Sequence, residues 1–105
     1  MRNKYGNKKS EYMGQTYASK LEANYAKELN LRAKAHDIKE WERQYKLPLV
    51  VNGVRIANYF VDFRVVTADG RVEFHETKGY WTSTSRLKHK LAVALYPEYT
   101  FVVIK

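Results

Sequence analysis

The stretch NYFVDFRVVTADGRVEFHETKG, residues 58–79, contains two runs of alternating apolar and polar residues around one turn signal. In the first run Tyr59, Val61, Phe63 and Val65 share a face with Ala57, while Asn58, Phe60, Asp62 and Arg64 share the other. Asp69-Gly70 marks the turn. In the returning run, period two puts Val72, Phe74, Glu76 and Lys78 on one face and Glu73 and His75 on the other. A turn centred on Asp69-Gly70 pairs Asp62 with about residue 77, so one residue of slack, or a splayed strand end, sets it beside Glu76. The stretch therefore predicts an antiparallel hairpin with two acids and a lysine at its far end.

Two such carboxylates offer oxygen ligands to a hard divalent cation, for which Mg²⁺ is the obvious candidate. A cation held there can activate a water and offset charge developing on a phosphoryl group. Lys78, on the face of Glu76, would add a point charge beside water and phosphate. Gly79 would remove side-chain bulk where a nucleic-acid backbone approaches. The plainer reading is a set of solvated cross-strand ion pairs, which many hairpins carry.

N-terminal to this hairpin, SKLE at 19–22 matches the S-x-x-E capping box and predicts a helix from Ser19 to about His36. Leu21, Tyr25, Ala26, Leu29 and Ala33 give it an apolar stripe, with Glu22 at the margin. From Ile38 the period changes to two, with Trp41, Tyr45 and Leu47 on one face and Glu40, Glu42 and Gln44 on the other. Asn52-Gly53 is a second hairpin turn.

C-terminal to the hairpin, TSTS at 82–85 supplies caps for a second helix whose expected stripe is Leu87, Leu91, Ala94 and Leu95. Arg86, Lys88, His89 and Lys90 crowd its first turns, where the helix dipole disfavours positive charge and an approaching phosphate would favour it. YTFVVI at 99–104 reads as a final strand, apolar enough to expect burial on both faces. The element order is α-β-β-β-α-β, in an α/β fold.

The 105 residues suit one domain. Residues 1–18 read as a basic arm containing Lys4, Lys8 and Lys9, and residues 19–105 as the domain, entered at Lys20. Without cysteine there is neither a disulfide framework nor a thiolate metal site, and the three histidines are not spaced as ligand pairs. No apolar run is long enough to span a bilayer and no signal-peptide core is evident, so we expect a cytoplasmic protein with no membrane partner. Nineteen Lys and Arg against eleven Asp and Glu give a net charge of +8, which points to a polyanion such as DNA more than to a charge excess that merely serves solubility.

The order of elements, with Glu in SKLEANYA, Asp in YFVDF and E-x-K in HETKG, resembles the PD-(D/E)XK nuclease superfamily. More narrowly, KYGNKK, SKLEANYAKEL, YFVDF and ETKGYWTSTSRLKHKLAVALYP, in that order, are similar to a group of short phage-encoded domains within it. The resemblance implies a restriction-endonuclease-like core with a mixed central sheet flanked by helices. It implies a metal-dependent endonuclease acting on DNA, branched or flapped structures included, working as a homodimer in phage or host replication, recombination or packaging. Asp62 and Glu76 would ligate Mg²⁺ or Mn²⁺, Glu22 would complete the acidic cluster directly or through water, and Lys78 would position the attacking water. Gln44 matches a polar residue that lines such sites, though an ordinary exposed glutamine reads the same way. Lys4, Lys8, Lys9, Lys20, Arg86, Lys88 and Lys90 would contact nucleic acid. Val61 stands where the motif has proline, and His75 faces away from Glu76. Two further readings are a DNA-binding module that does not cleave and a carboxylate-pair hydrolase such as a glycosidase; the charge and Lys78 argue against the latter.

Overall fold

The computed structural model describes residues 10–12, 14–78 and 80–105. They form β1 (Ser10–Tyr12), β2 (Gln15–Tyr17), α1 (Lys20–Lys34), β3 (Ile38–Val51), β4 (Val54–Thr67), β5 (Val72–Thr77), α2 (Ser83–Leu95) and β6 (Thr100–Ile104). Four strands make one sheet in the order β3-β4-β5-β6, antiparallel through β5 and parallel between β5 and β6. With two helices this is a compact α/β domain with a mixed sheet.

The predicted element order is present, preceded by a β1–β2 hairpin that the sequence pattern did not reveal. Lys4, Lys8, Lys9 and Gly79 lie outside the described residues. The described part of the expected arm, from Ser10 onward, is built into the domain. Tyr17 on β2 is fully buried and stacks near Phe63, and the Tyr12 hydroxyl accepts from Nδ2 of Asn30 on α1 at 3.0 Å. An aromatic residue that fills the core cannot belong to a detached arm.

α1 begins where its cap predicts, with the Ser19 hydroxyl accepting from the Glu22 amide at 3.1 Å. It ends with His36 at φ 62° and the Asp37 amide donating to the Arg32 carbonyl at 2.9 Å. The β3–β4 turn is the expected two-residue one, with Asn52 and Gly53 both at positive φ between the paired Val51 and Val54.

The β4–β5 turn is longer by one residue than a turn centred on Asp69-Gly70. The Thr67 amide donates to the Arg71 carbonyl at 2.8 Å, the Gly70 amide donates back to Thr67 at 2.9 Å, and Gly70 takes φ 91°. This is a three-residue loop whose left-handed position suits glycine. Val66 then pairs with Val72 and Phe63 with His75, so the register sets Asp62 opposite Glu76 and not residue 77.

The predicted alternation along β3 and β4 does not run uninterrupted. Phe63, Val65 and Ile38, with Trp41, join Tyr17, Ala23, Tyr25, Ala26 and Leu29 in a core under α1. Leu47, Leu49, Tyr59 and Val61, with Tyr45, join Phe74 and Ala92 in a second core under α2. Residues of one parity thus serve opposite sides of the sheet, and the change falls between Arg43 and Tyr45 and between Val61 and Phe63. Arg64 marks the same switch: its guanidinium lies 3.5 Å from Glu42 and 5.6 Å from the ring centre of Tyr45, three residues on in β3. Gln44, at φ 55°, is where β3 leaves regular strand geometry.

Two further expectations need correction. On α2 the buried face centres on Ala92, flanked by Leu91 and Leu95, whereas Leu87 and Ala94 are exposed. Ring packing of His89 against Trp81, Tyr59 and Phe101 fixes the helix rotation and turns Leu87 outward. Among the described residues β6 has only β5 beside it, and Phe101 to Ile104 are half-buried instead of enclosed on both faces.

Candidate active site

The ladder between β4 and β5 ends at Phe63 and His75. At the next opposed pair, side chains take over the backbone's hydrogen bonds. The Asp62 amide donates to Oε1 of Glu76 at 2.9 Å, and the Thr77 amide and hydroxyl both donate to Oδ2 of Asp62 at 2.8 Å. Each carboxylate thus caps an amide left without a backbone partner where the strands diverge. β6 holds the far side of β5, since the Lys78 amide donates to the Ile104 carbonyl at 2.9 Å.

Glu76 is 1% exposed, and its Oε2 is buried with no hydrogen-bond partner among the described residues. Lys78 sets its Nζ 3.6 Å from that oxygen. Burial first, and then the charge of Asp62, pushes the Glu76 carboxyl up to about 7, against the lowering effects of the Asp62 amide, Lys78 and Tyr59.

Glu22 reaches this centre from the first turn of α1. Its Oε2 accepts from the Ala18 amide at 3.0 Å and its Oε1 from Nε2 of Gln44 at 3.3 Å. Only half of the expected capping box forms: the Ser19 hydroxyl takes the Glu22 amide, but the Glu22 carboxylate reaches past Ser19 to the Ala18 amide, and its other oxygen meets Gln44. Burial and then Asp62 raise its pKa, opposed by Ala18, Arg43 and Gln44. Gln44, exposed and at positive φ, bears on the site through Glu22.

The fold thus brings Asp62 and Glu76 together, with Lys78 beside Glu76 and Glu22 close enough to feel Asp62. The basic residues are spread more widely. Lys20 is exposed at the start of α1, Arg86 and Lys90 are exposed on α2, and Lys88 is half-buried. His75 faces away, as expected: the Tyr25 hydroxyl and Nδ1 of His75 share a short hydrogen bond under α1, and Nε2 of His75 meets Glu73 at 2.9 Å.

Four contributors escaped the sequence reading. Thr77 looked like a spacer between Glu76 and Lys78, yet it fixes Asp62. Arg43 lies over the Tyr17 ring at 4.1 Å and lowers the pKa of Glu22. Tyr59 is buried, its pKa raised first by burial and then by the charge of Glu76, and its hydroxyl lies 3.2 Å from Nδ1 of His89. His89 itself read as one more basic residue on α2. Only the position of Tyr59, three residues before Asp62 in an otherwise apolar run, hinted at a polar task for a core aromatic.

Among the described residues, no three His, Asp or Glu side chains are arranged as a ready metal-binding group. A pair of carboxylates is nonetheless enough for Mg²⁺, which keeps several of its waters and uses one or two protein carboxylates. The orphaned Oε2 of Glu76, opposite Asp62, fits that demand. Among the described residues, no helix is long and apolar enough to cross a membrane. No curated protein and no solved structure matches the chain. A family model does, over residues 2–105, and the chain belongs to that family, described as "Protein of unknown function (DUF1064)".

Proposed function

We propose that the protein is a metal-dependent endonuclease that hydrolyses DNA phosphodiester bonds, built on a restriction-endonuclease-like core of the PD-(D/E)XK kind. The observation that carries this reading is the buried Oε2 of Glu76, without a hydrogen-bond donor among the described residues, set opposite Asp62 and 3.6 Å from Lys78. A buried carboxylate oxygen with no donor is costly unless something completes it, and a divalent cation does so.

Asp62 and Glu76 would hold Mg²⁺ or Mn²⁺. The bound ion would supply charge to a phosphodiester oxygen and acidify a water. Thr77 holds Oδ2 of Asp62 by two donors, which leaves Oδ1 outside those bonds. Glu22 already accepts on both oxygens, so it adds negative charge and orients Gln44, while Asp62 and Glu76 form the direct pair. Lys78 is anchored through its amide and holds its ammonium between Glu76 and the Trp81 ring, suited to hold a water or a phosphate oxygen in line. Residues 77–97 contain Lys78, Arg86, Lys88 and Lys90 and no acid, which suits an approaching polyanion.

Nicking of supercoiled plasmid and of junction DNA, with Mg²⁺, Mn²⁺ or EDTA, tests this for the native protein and Glu76→Ala. We expect cleavage with either metal and none in EDTA or in the variant. Cleavage that survives either condition overturns the mechanism. Tight DNA binding without cleavage under any metal supports a non-catalytic binding module instead.

A further inference from the structure

β5 pairs with β4 only from Val66 to Phe63, whereas β3 and β4 stay paired out to Val51 and Val54. The β3–β4 hairpin therefore runs on past the carboxylates as a two-stranded ribbon. Tyr59 and Val61 turn inward to the core under α2, so Phe60 between them turns outward, 54% exposed. It precedes Asp62 by two residues, about 7 Å along an extended strand. Lys46 lies across from it on β3 and is also exposed. The other three phenylalanines, Phe63, Phe74 and Phe101, each pack against another ring, and Phe60 meets none among the described residues.

One exposed apolar side chain is ordinary on a protein surface, and this one is set apart by its neighbours. From Arg43 to Val61 the chain holds Arg43, Lys46 and Arg55 and no acid, so the ribbon's charge suits a polyanion. A flat ring with a cation beside it matches a nucleotide, which joins a flat base to a phosphate. In duplex DNA each base is already stacked between its neighbours, so only an unpaired base has a face to offer. We propose that Phe60 is a stacking platform for an unpaired base next to the phosphate to be cut, with Lys46 meeting the backbone. The substrate class is then DNA with a single-stranded stretch at the point of cleavage, not continuous duplex. The inference rests on the hydrolytic reading, which puts the scissile phosphate at Asp62 and Glu76. Every base has a π-face, so the platform selects by strandedness and not by sequence.

The experiment measures binding in EDTA by fluorescence anisotropy, with a labelled oligothymidylate single strand and a labelled blunt duplex. It compares native protein with Phe60→Ala, Phe60→Leu, Phe60→Trp and Lys46→Gln. We expect Phe60→Ala to weaken single-strand binding about 5–100-fold, the worth of one stacked base, and to leave duplex binding unchanged. Phe60→Leu, apolar but without a π-face, should lose as much, and Phe60→Trp should keep native affinity. Lys46→Gln should weaken both DNA forms alike, as loss of a phosphate contact does. With iododeoxyuridine in the single strand, photo-crosslinking should map to Phe60. Thermal melting should find the variants close to the native protein, and Phe60→Leu carries the comparison if Phe60→Ala does not fold. Failure of the native protein to bind the single strand overturns the inference. So do equal losses of Phe60→Ala on both DNA forms, or native single-strand affinity in Phe60→Ala or Phe60→Leu. A native dimer that Phe60→Ala splits, read by light scattering, also overturns it, since the ring would then join copies of the chain. Binding in EDTA reads the ring and cleavage with Mn²⁺ reads the metal, so failure of one reading is told apart from failure of the other.

Discussion

Asp62 and Glu76 are joined crosswise: the amide of Asp62 donates to the Glu76 side chain at 2.9 Å, while the Asp62 side chain takes the amide of the residue after Glu76 at 2.8 Å. Two strands that would otherwise part with unpaired amides are closed by the very carboxylates proposed to hold the cation. The site and the end of the sheet are therefore one construction, and perturbing one perturbs the other.

Thr77→Val removes the hydroxyl donor to Asp62 Oδ2 and leaves the amide donor in place. Unfolding in urea should show a loss of roughly 1.5–3 kcal/mol, the range for hydrogen bonds to charged groups. Mn²⁺ affinity should fall by about 10–100-fold. Thr77→Ser, which keeps the hydroxyl, should stay near the native values in both measurements.

Without divalent ions, Glu76 makes the fold weaker as pH rises. Its carboxyl is raised from 4.5 to about 7 in the folded chain, so the unfolded chain loses its proton first. The folded state is then penalised progressively between those two values, and the penalty is constant above them. It amounts to about 3 kcal/mol. Thermal melting in EDTA should show the native protein losing stability from pH 4.5 to pH 7 relative to Glu76→Gln, whose profile lacks this contribution. Added Mg²⁺ should offset the loss at pH 7.

Gln44 holds a left-handed backbone at φ 55° inside a strand, a conformation that costs a non-glycine residue about 1 kcal/mol or more. Gln44→Gly should melt no lower than the native protein, and yet cleave more slowly because Glu22 loses its side-chain donor. Gln44→Val, β-branched at the same φ, should melt clearly lower. Similar melting for the two variants would contradict the assignment of strain to this position.

Tyr25→Phe probes the other side of the sheet. It strips His75 of its Nδ1 partner in a buried setting, so unfolding should show a loss of roughly 1–3 kcal/mol. The cleavage rate per folded molecule should not change, since Tyr25 and His75 lie under α1 and away from the carboxylate pair.

The sequence carried the turns and the meeting of acids, because Asn52-Gly53, Asp69-Gly70 and the Ser19 cap are local signals with local causes. Period two then located Glu76 and Lys78 on one face. It could not show the switch of faces at Gln44 and Asp62, since a glutamine gives no hint of positive φ and the alternation of letters continues through it. Leu87 misled for a related reason. A stripe chosen by hydrophobicity ignores an imidazole that binds more specifically than a leucine, and His89 set the helix rotation. β1 and β2 span three residues each, too short for any period to register.

The loop of Ala68, Asp69 and Gly70 stands about 20 Å along β4 from Asp62, at the rise of an extended strand. It touches no part of the carboxylate pair, yet its length alone decides which residue of β5 meets Asp62. Many side chains could serve at Ala68 without consequence for the acids. An insertion or deletion is different in kind. It forces either a new turn geometry or a one-residue slip, and a slip would carry Glu76 to the opposite side of the sheet and His75 or Thr77 into its place. Across homologous chains, the Ala68 position should drift in composition while the left-handed Gly70 and the fourteen-residue interval from Asp62 to Glu76 persist.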